Sequence, residues 1–123
     1  MASAKATGEK AMELVFKYEK KHGRMPERIY DKKLGYDIQS SGRKIEVKGA
    51  DHGKVFNGFI IEESQHKNSD DPDFWFYRVL NVFSNNPTIL PIKPNEINLS
   101  IAQKPRYNAT SFKDSNRPKN FQS

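Results

Sequence analysis

The sequence has 123 residues and contains no cysteine, which excludes disulfides, thiolate zinc sites and cysteine nucleophiles. Its 21 Lys and Arg residues outnumber 15 Asp and Glu residues, and the net charge of +6 favours polyanionic partners such as nucleic acid. No apolar run is long enough to span a membrane, and residues 1–10 lack the apolar core of a secretory signal, so we expect a cytoplasmic protein, or a nuclear one in a eukaryote.

The first predicted element is a helix over residues 8–22, which follows a flexible N-terminus at residues 1–7. Thr7 has the side chain of an N-cap residue, and Gly23 is the residue type that most often ends a helix. Apolar residues recur at three- and four-residue spacing, as in one face of a helix that packs on a core: Ala11, Met12, Leu14, Val15 and Tyr18.

A β-hairpin is predicted next, after a short strand at residues 28–30. Residues 34–40 form its first strand, Ser40 to Gly42 the turn and residues 43–50 its second strand. Side chains alternate between the two faces of a strand, so the apolar face of the second strand packs on the core and the opposite face carries charge. The apolar residues are Ile45 and Val47, and the charged residues are Lys44, Glu46 and Lys48.

The remaining elements place a buried strand at the centre of the fold. Residues 55–61 predict a strand, residues 62–68 a short helix, and residues 88–92 an edge strand bracketed by prolines. Residues 74–83 are too rich in aromatic and β-branched side chains for a surface helix and predict a buried central strand. Together these elements predict an α/β (α+β) layer fold for one domain at residues 8–102.

Two aromatic or basic features leave alternatives open. Residues 103–123 form a basic segment of doubtful order, which is either a strap that binds phosphates or a solubilising end. Trp75 is either a platform for stacked bases or part of the packing of the central strand, and we favour packing.

Three charged residues of the hairpin have the chemistry of a metal-dependent site. Glu46 and Lys48 are two residues apart on one strand and emerge on the same side, and Asp37 on the preceding strand reaches Glu46 if the register allows. Two close carboxylates repel each other, a penalty that a divalent cation removes, and Mg²⁺ prefers such oxygen ligands. Lys48 then lies beside the metal, where it can orient an attacking water or stabilise charge on a phosphate. The alternative is a solvated strand face with weak ion pairs.

An Asp followed by Glu-x-Lys on a β-hairpin resembles the signature of the PD-(D/E)XK nucleases. The Gly-Tyr-Asp-Ile at residues 35–38 and the Glu-Val-Lys at residues 46–48 resemble one branch in particular. That branch is the NO VEIN C-terminal domain, which occurs in plant proteins and in bacterial restriction and defence proteins. The Met-Glu-Leu-Val at residues 12–15 and the Phe-Tyr-Arg-Val-Leu-Asn at residues 76–81 extend the resemblance over residues 8–85.

This resemblance implies a restriction-endonuclease-like mixed β-sheet core flanked by helices, and an Mg²⁺-dependent endonuclease in which Mn²⁺ can substitute. It implies that Asp37, Glu46 and Val47 hold the metal and that Lys48 is the catalytic lysine. It also implies that Glu13 is the helix acid that completes the site, a role for which Glu9, one turn earlier, competes.

The expected partner is nucleic acid, with DNA favoured over RNA, and no membrane. The basic residues expected to contact it are Lys44, Lys54, Lys104, Arg106 and Arg117. The resemblance also makes a homodimer or a larger defence complex an expected form of the active protein. The alternative function is an inactive module of the same fold that binds or senses nucleic acid without cutting it, and a third is a protein-interaction domain within a multi-subunit assembly.

Overall fold

A computed structural model of the chain describes residues 3–53, 58–103 and 106–113. The helices in these ranges are α1 (Ala4–Lys21) and α2 (Glu63–His66), with short 3-10 helices at Lys32–Leu34, Lys67–Asp70 and Pro94–Glu96. The strands are β1 (Pro26–Arg28), β2 (Ile38–Ser40), β3 (Arg43–Gly49), β4 (Phe59–Ile61), β5 (Phe74–Leu80), β6 (Thr88–Ile92), β7 (Ile97–Gln103) and β8 (Arg106–Phe112). None of the helices described is long and apolar enough to cross a membrane.

The strands form two sheets. The larger sheet has the order β1-β2-β3-β5-β6, in which β3 and β5 run parallel and the other neighbours run antiparallel. The smaller sheet has the order β4-β8-β7 and is antiparallel. The predicted mixed α+β fold is therefore confirmed, with β3 and β5 at its centre.

The large sheet is covered on both faces. On one face, Ala11 and Val15 of α1 pack against Ile45 of β3 and against Tyr77 and Val79 of β5. The other face packs against the small sheet, and the residues buried there include Phe74, Phe76, Leu80, Ile61, Ala109 and Phe112. Glu46 is paired with Phe76 in the parallel register, so its side chain lies on the face covered by the small sheet.

Helix α1 begins earlier than predicted. Its N-cap is Ser3 rather than Thr7, because the Ser3 hydroxyl accepts a hydrogen bond of 3.1 Å from the Ala6 N–H. Ala4 to Thr7, which were placed in the segment before the helix, form its first turn. The predicted stop is confirmed, because the helix ends at Lys21 and Gly23 has a left-handed φ of 78°.

The predicted hairpin is confirmed in β2 and β3. Its two-residue turn has positive φ at Ser41 (45°) and Gly42 (90°), the geometry that matches the twist of antiparallel strands. The first strand is shorter than predicted, since residues 32–34 form a 3-10 helix capped by Asp31, whose carboxylate accepts from the Lys33 N–H at 3.0 Å. The short strand expected at residues 28–30 lies at Pro26–Arg28.

The buried central strand is confirmed as β5, and the edge strand as β6. Strand β5 ends at Leu80, before the end predicted, because Asn81 adopts a left-handed φ of 55°. The strand expected at residues 55–61 is observed at Phe59–Ile61, and residues 55–57 lie outside the described residues. The short helix predicted at residues 62–68 is split into α2 and a 3-10 helix.

The small sheet corrects the prediction for the C-terminal segment. Residues 106–112, expected to be of doubtful order, form β8, which pairs with both β4 and β7. The register between β7 and β8 slips at Thr110, since Asn98 pairs with Ser111 and Leu99 with Ala109. This bulge turns Ala109 and Phe112 toward the same core although they are three residues apart, which disguises the two-residue period of a strand.

Candidate active site

Asp37 immediately precedes β2 and makes main-chain hydrogen bonds to the chain segments on both sides of it. Its main-chain N–H donates to the Ile45 carbonyl and its carbonyl accepts from the Ile29 N–H, both at 2.8 Å. Its carboxylate Oδ2 accepts a 2.8 Å hydrogen bond from the Val47 N–H. These contacts direct the Asp37 carboxylate onto β3, beside Glu46.

Glu46 is a buried carboxylate, with 7% of the residue exposed. Its Oε2 accepts from the Gln65 side-chain amide at 2.7 Å and lies 3.3 Å from the Lys48 ammonium. Burial raises the pKa of Glu46 well above its usual value, and the neighbouring Asp37 charge raises that pKa further, while Lys48 opposes the rise. This environment excludes a solvated strand face at Glu46.

Lys48 completes the predicted trio. Its side chain is 15% exposed, and its Nζ donates to Gln65 Oε1 at 2.8 Å besides contacting Glu46. The structure therefore brings Asp37, Glu46 and Lys48 together, as the hairpin pattern predicts. Val47, the residue between, faces the α1 side and touches the site through its main chain.

Gln65 of α2 is a site residue that the sequence interpretation missed. Its Nε2 donates to Glu46, while its Oε1 accepts from Lys48 and, at 3.0 Å, from the Glu62 N–H at the start of α2. The Glu-x-x-Gln pattern at residues 62–65 is a capping-box signal for a helix start. That pattern locates α2 in the sequence, but not its position over Glu46.

Gly35 allows α2 to pack against the loop that carries Asp37. A Cβ on Gly35 would lie 2.5 Å from the Ser64 carbonyl oxygen and 2.8 Å from Asn68 Nδ2, and Gly35 has a φ of 78°. Asn68 stabilises the contact between α2 and this loop, because its Nδ2 donates to the Leu34 carbonyl at 2.9 Å. The glycine of Gly-Tyr-Asp is thus explained by close packing and by its backbone conformation.

A polar cleft of about 140 Å³ opens beside the carboxylates. Its lining includes Lys32, Tyr36, Asp37, Glu46, Ser64 and Gln65. The two carboxylates are hard oxygen donors, and burial and the Asp37 charge both raise the pKa of Glu46, so a cation beside them would favour the ionised form. The donor set therefore fits Mg²⁺, although no group of three or more His, Cys, Asp or Glu residues suited to a metal occurs in the described part of the chain.

The structure does not bring Glu13 or Glu9 to this cleft. Glu13 pairs with Lys17 at 3.2 Å and with Lys10 at 3.7 Å, and these lysines lower its pKa, the Lys17 hydrogen bond most strongly. Glu9 pairs with Arg28 at 3.4 Å. Both glutamates line a separate, larger groove of about 600 Å³ along α1, on the far side of the large sheet from Glu46.

Helix geometry explains the position of Glu13. Ala11 and Val15 are fully buried against the large sheet. Two helical residues add about 200° of rotation, so Glu13 points away from the face that Ala11 and Val15 bury.

The basic residues expected to contact nucleic acid lie in different situations. Lys44 is 2.6 Å from the Asp71 carboxylate, whose hydrogen bond raises the Lys44 pKa. Arg106 begins β8, while Lys54, Lys104 and Arg117 lie outside the described residues.

Trp75 packs within the protein, as favoured. Its ring lies edge-on to Tyr77, with centroids 6.4 Å apart. The guanidinium of Arg43 and the ammonium of Lys93 lie 4.2 Å and 4.3 Å from the Trp75 ring centroid. These cation–π contacts engage the ring within the chain.

Comparison with known proteins identifies the family. Neither a curated protein nor a solved structure matched the chain. The family model described as "Protein NO VEIN, C-terminal" matches residues 7–96, which is more than half of the chain and contains the whole Asp37–Glu46–Lys48–Gln65 cluster. The chain therefore belongs to the NO VEIN C-terminal family, as the motifs of the hairpin, the first helix and the central strand indicate.

Proposed function

We propose that this domain is a Mg²⁺-dependent endonuclease that hydrolyses phosphodiester bonds, with DNA as the favoured substrate, and that it serves a restriction or defence system. The observation that carries the proposal is that Asp37 and buried Glu46 line one polar cleft and that the Lys48 ammonium lies 3.3 Å from Glu46. Two opposed carboxylates with an adjacent lysine are the parts needed for metal-assisted attack on a phosphate.

Asp37 and Glu46 would hold the metal through their carboxylates. The side chain of Val47 has no atom that can bind a metal, so Val47 would contribute its main-chain carbonyl oxygen. Bound Mg²⁺ supplies a more acidic water and a polarised phosphoryl oxygen. Lys48 lies 3.3 Å from Glu46 Oε2, where its ammonium can orient the attacking water or stabilise charge on the phosphate.

The net charge of +6 supports a polyanionic substrate. The cleft of about 140 Å³ has room for a cation and a phosphate rather than for a stacked base pair, so the bases would lie outside it. Lys32 also lines the cleft and adds a basic residue to it, which suits an anionic substrate.

The test is cleavage of supercoiled plasmid, linear DNA, single-stranded DNA and RNA with Mg²⁺ or Mn²⁺. We expect Lys48→Ala and Asp37→Asn to abolish cleavage while the melting temperature stays within a few degrees of the parent. Lys17→Ala is the matched control, because Lys17 is 70% exposed and pairs with Glu13 away from the cleft. Cleavage by Lys48→Ala at the parent rate would refute the assigned role.

A nucleic-acid-binding module without cleavage is the second candidate. It is favoured by the internal contacts of Lys48, whose ammonium is already engaged by Gln65 and Glu46. This candidate predicts salt-sensitive binding that persists in EDTA, with a log–log salt slope of about −0.9 for each phosphate contacted. Binding that disappears in EDTA would count against it.

A further inference from the structure

The segment of residues 29–34 joins the polar cleft to the groove along α1. It follows β1, the edge strand of the large sheet. Ile29 and Lys32 line the cleft, whereas Tyr30, between them, lines the groove. Because Cα atoms two residues apart are separated by at most about 7 Å, the cleft and the groove adjoin at this edge of the sheet.

Tyr30 presents an oriented aromatic ring at this edge. The residue is 79% exposed, and the Arg28 guanidinium lies 5.5 Å from the centroid of its ring. Arg28 is held in turn by the two carboxylate oxygens of Glu9, each at 3.4 Å. The cation–π contact therefore orients the ring while most of it stays exposed. An exposed aromatic ring of this kind is a platform on which an unpaired base stacks.

Lys32 and Lys33 add positive charge beside this ring. Both are exposed, and neither forms an ion pair within the parts of the chain that the structure describes. Lys44, by contrast, has its ammonium 2.6 Å from the Asp71 carboxylate. The segment carries two lysines against one aspartate, Asp31, whose carboxylate accepts from the Lys33 N–H at 3.0 Å. Two cations without acid partners next to the cleft suit the phosphates of a nucleic-acid strand.

We propose that residues 30–33 form the contact surface for a single-stranded nucleic acid, an inference that rests on the proposed function. Tyr30 stacks on an unpaired base, and Lys32 and Lys33 contact phosphates of the same strand. The substrate class is thereby narrowed to single strands and to unpaired regions of a duplex. The bases of an intact duplex stack on one another and offer Tyr30 no free face.

Tyr30→Phe and Tyr30→Ala separate stacking from a structural role. Phenylalanine keeps the aromatic ring, whereas alanine removes it. Because Tyr30 is 79% exposed, we expect both variants to melt as the parent does, so a loss of binding reports on the contact itself. Met25→Ala is the matched control, because Met25 is a large apolar residue, 80% exposed, at the other end of β1.

The experiment is fluorescence anisotropy of a labelled single-stranded DNA, an RNA of the same sequence and the DNA duplex, with the full chain in EDTA. We expect the parent to bind the single strands more tightly than the duplex. Tyr30→Ala should weaken single-strand binding by about 5- to 150-fold, and Tyr30→Phe and Met25→Ala by less than about twofold. Lys32→Gln and Lys33→Gln should each reduce the log–log salt slope by about 0.7. Lys20→Gln, an exposed lysine of α1, should leave that slope unchanged.

Cleavage of the same strands with Mg²⁺ is measured separately, so the two claims can fail independently. Cleavage by the parent, with Tyr30→Ala binding as tightly as the parent, refutes the Tyr30 surface and leaves the proposed function standing. Binding of single strands that depends on Tyr30, without cleavage, supports the surface and refutes the endonuclease.

The strand forms test the stacking itself. A parent that prefers the duplex, or a Tyr30→Ala variant that loses duplex and single strand equally, refutes stacking on an unpaired base. A parent that binds none of the three nucleic acids refutes the inference outright. Tighter binding of the RNA than of the DNA supports the surface and overturns DNA as the favoured substrate.

Discussion

Neutralising Glu46 should stabilise the protein, although it removes a buried ion pair. Because the pKa of Glu46 is raised in the folded state, the protein loses stability as pH rises from about 4.5 through that higher folded pKa. Glu46→Gln is nearly isosteric and removes the charge that burial and Asp37 oppose. The variant should therefore exceed the parent in stability at pH 8 and approach it as the pH falls below 4.5, where Glu46 becomes protonated in the unfolded state as well.

The size of the stabilisation expected from Glu46→Gln follows from the surroundings of Glu46. Repulsion by Asp37 and attraction by Lys48 act on the Glu46 charge in opposite directions, so each offsets part of the other, and unit charges about 4 Å apart interact by about 4 kcal/mol at an effective dielectric constant of about 20. What remains is desolvation of a carboxylate that is 7% exposed, and a buried polar group carries a penalty of about 1–3 kcal/mol. The free energy of unfolding should rise by that amount at pH 8, or roughly 4 °C of melting temperature for each kcal/mol.

The assay is urea unfolding of parent and variant at pH 4, 6 and 8, in EDTA and again with Mg²⁺. Glu63→Gln is the control, since Glu63 is half exposed and pairs with Lys67 at 3.7 Å, so the free energy of unfolding should change by less than about 1 kcal/mol. Mg²⁺ should stabilise the parent and not Glu46→Gln. A Glu46→Gln variant that is less stable at pH 8, or equally altered at every pH, would refute the reasoning about Glu46.

Two further predictions concern the supports of the site. Gly35→Ala should lower the free energy of unfolding by about 2 kcal/mol or more, because its Cβ meets the Ser64 carbonyl at 2.5 Å and its φ is 78°. In the same urea series Gly8→Ala, in α1 with nothing within 4 Å, should gain about 0.5–1 kcal/mol, and equal effects would contradict the packing argument. Tyr77→Phe should lose about 1–3 kcal/mol, because the Tyr77 hydroxyl donates to fully buried Glu19 at 2.8 Å and accepts from Arg43 at 2.7 Å. An unchanged unfolding midpoint would show that Glu19 is satisfied by Arg24 alone.

Local patterns predicted the elements whose signals are contained in a few consecutive residues. The turn at Ser41 and Gly42 set the hairpin, the aromatic run of residues 74–80 set the central strand, and the family resemblance in residues 35–48 is confirmed by the match over residues 7–96. Strand β8 was missed because the bulge at Thr110 interrupts its alternation, and strand β7 was missed although its apolar Ile97, Leu99 and Ile101 alternate with polar residues. The wider PD-(D/E)XK assignment stays a prediction, since no solved structure matched the chain.

Three of the four residues in the Asp37–Glu46–Lys48–Gln65 cluster were predictable for the same reason. Asp37 immediately precedes β2, and Glu46 and Lys48 lie on β3, so the hairpin and its register bring the three residues together. Helix residues were not predictable in this way. Glu13 carries the family pattern but points away from the buried face of α1, whereas Gln65 reaches Glu46 across 19 residues of chain.

The position of α2 determines the geometry of the site. Gln65 contacts Glu46 and Lys48 because α2 packs closely against Gly35. Gly35 in turn belongs to the loop that carries Asp37. Movement of α2 would therefore alter the distance of Gln65 from both residues and the placement of Asp37 at once. Two halves of the motif that are separate in sequence, Gly-Tyr-Asp and Glu-x-Lys, are thus joined by β-pairing on one side and by a four-residue helix on the other. A substitution that loosens α2, such as Gly35→Ala, should for this reason impair metal binding as well as folding.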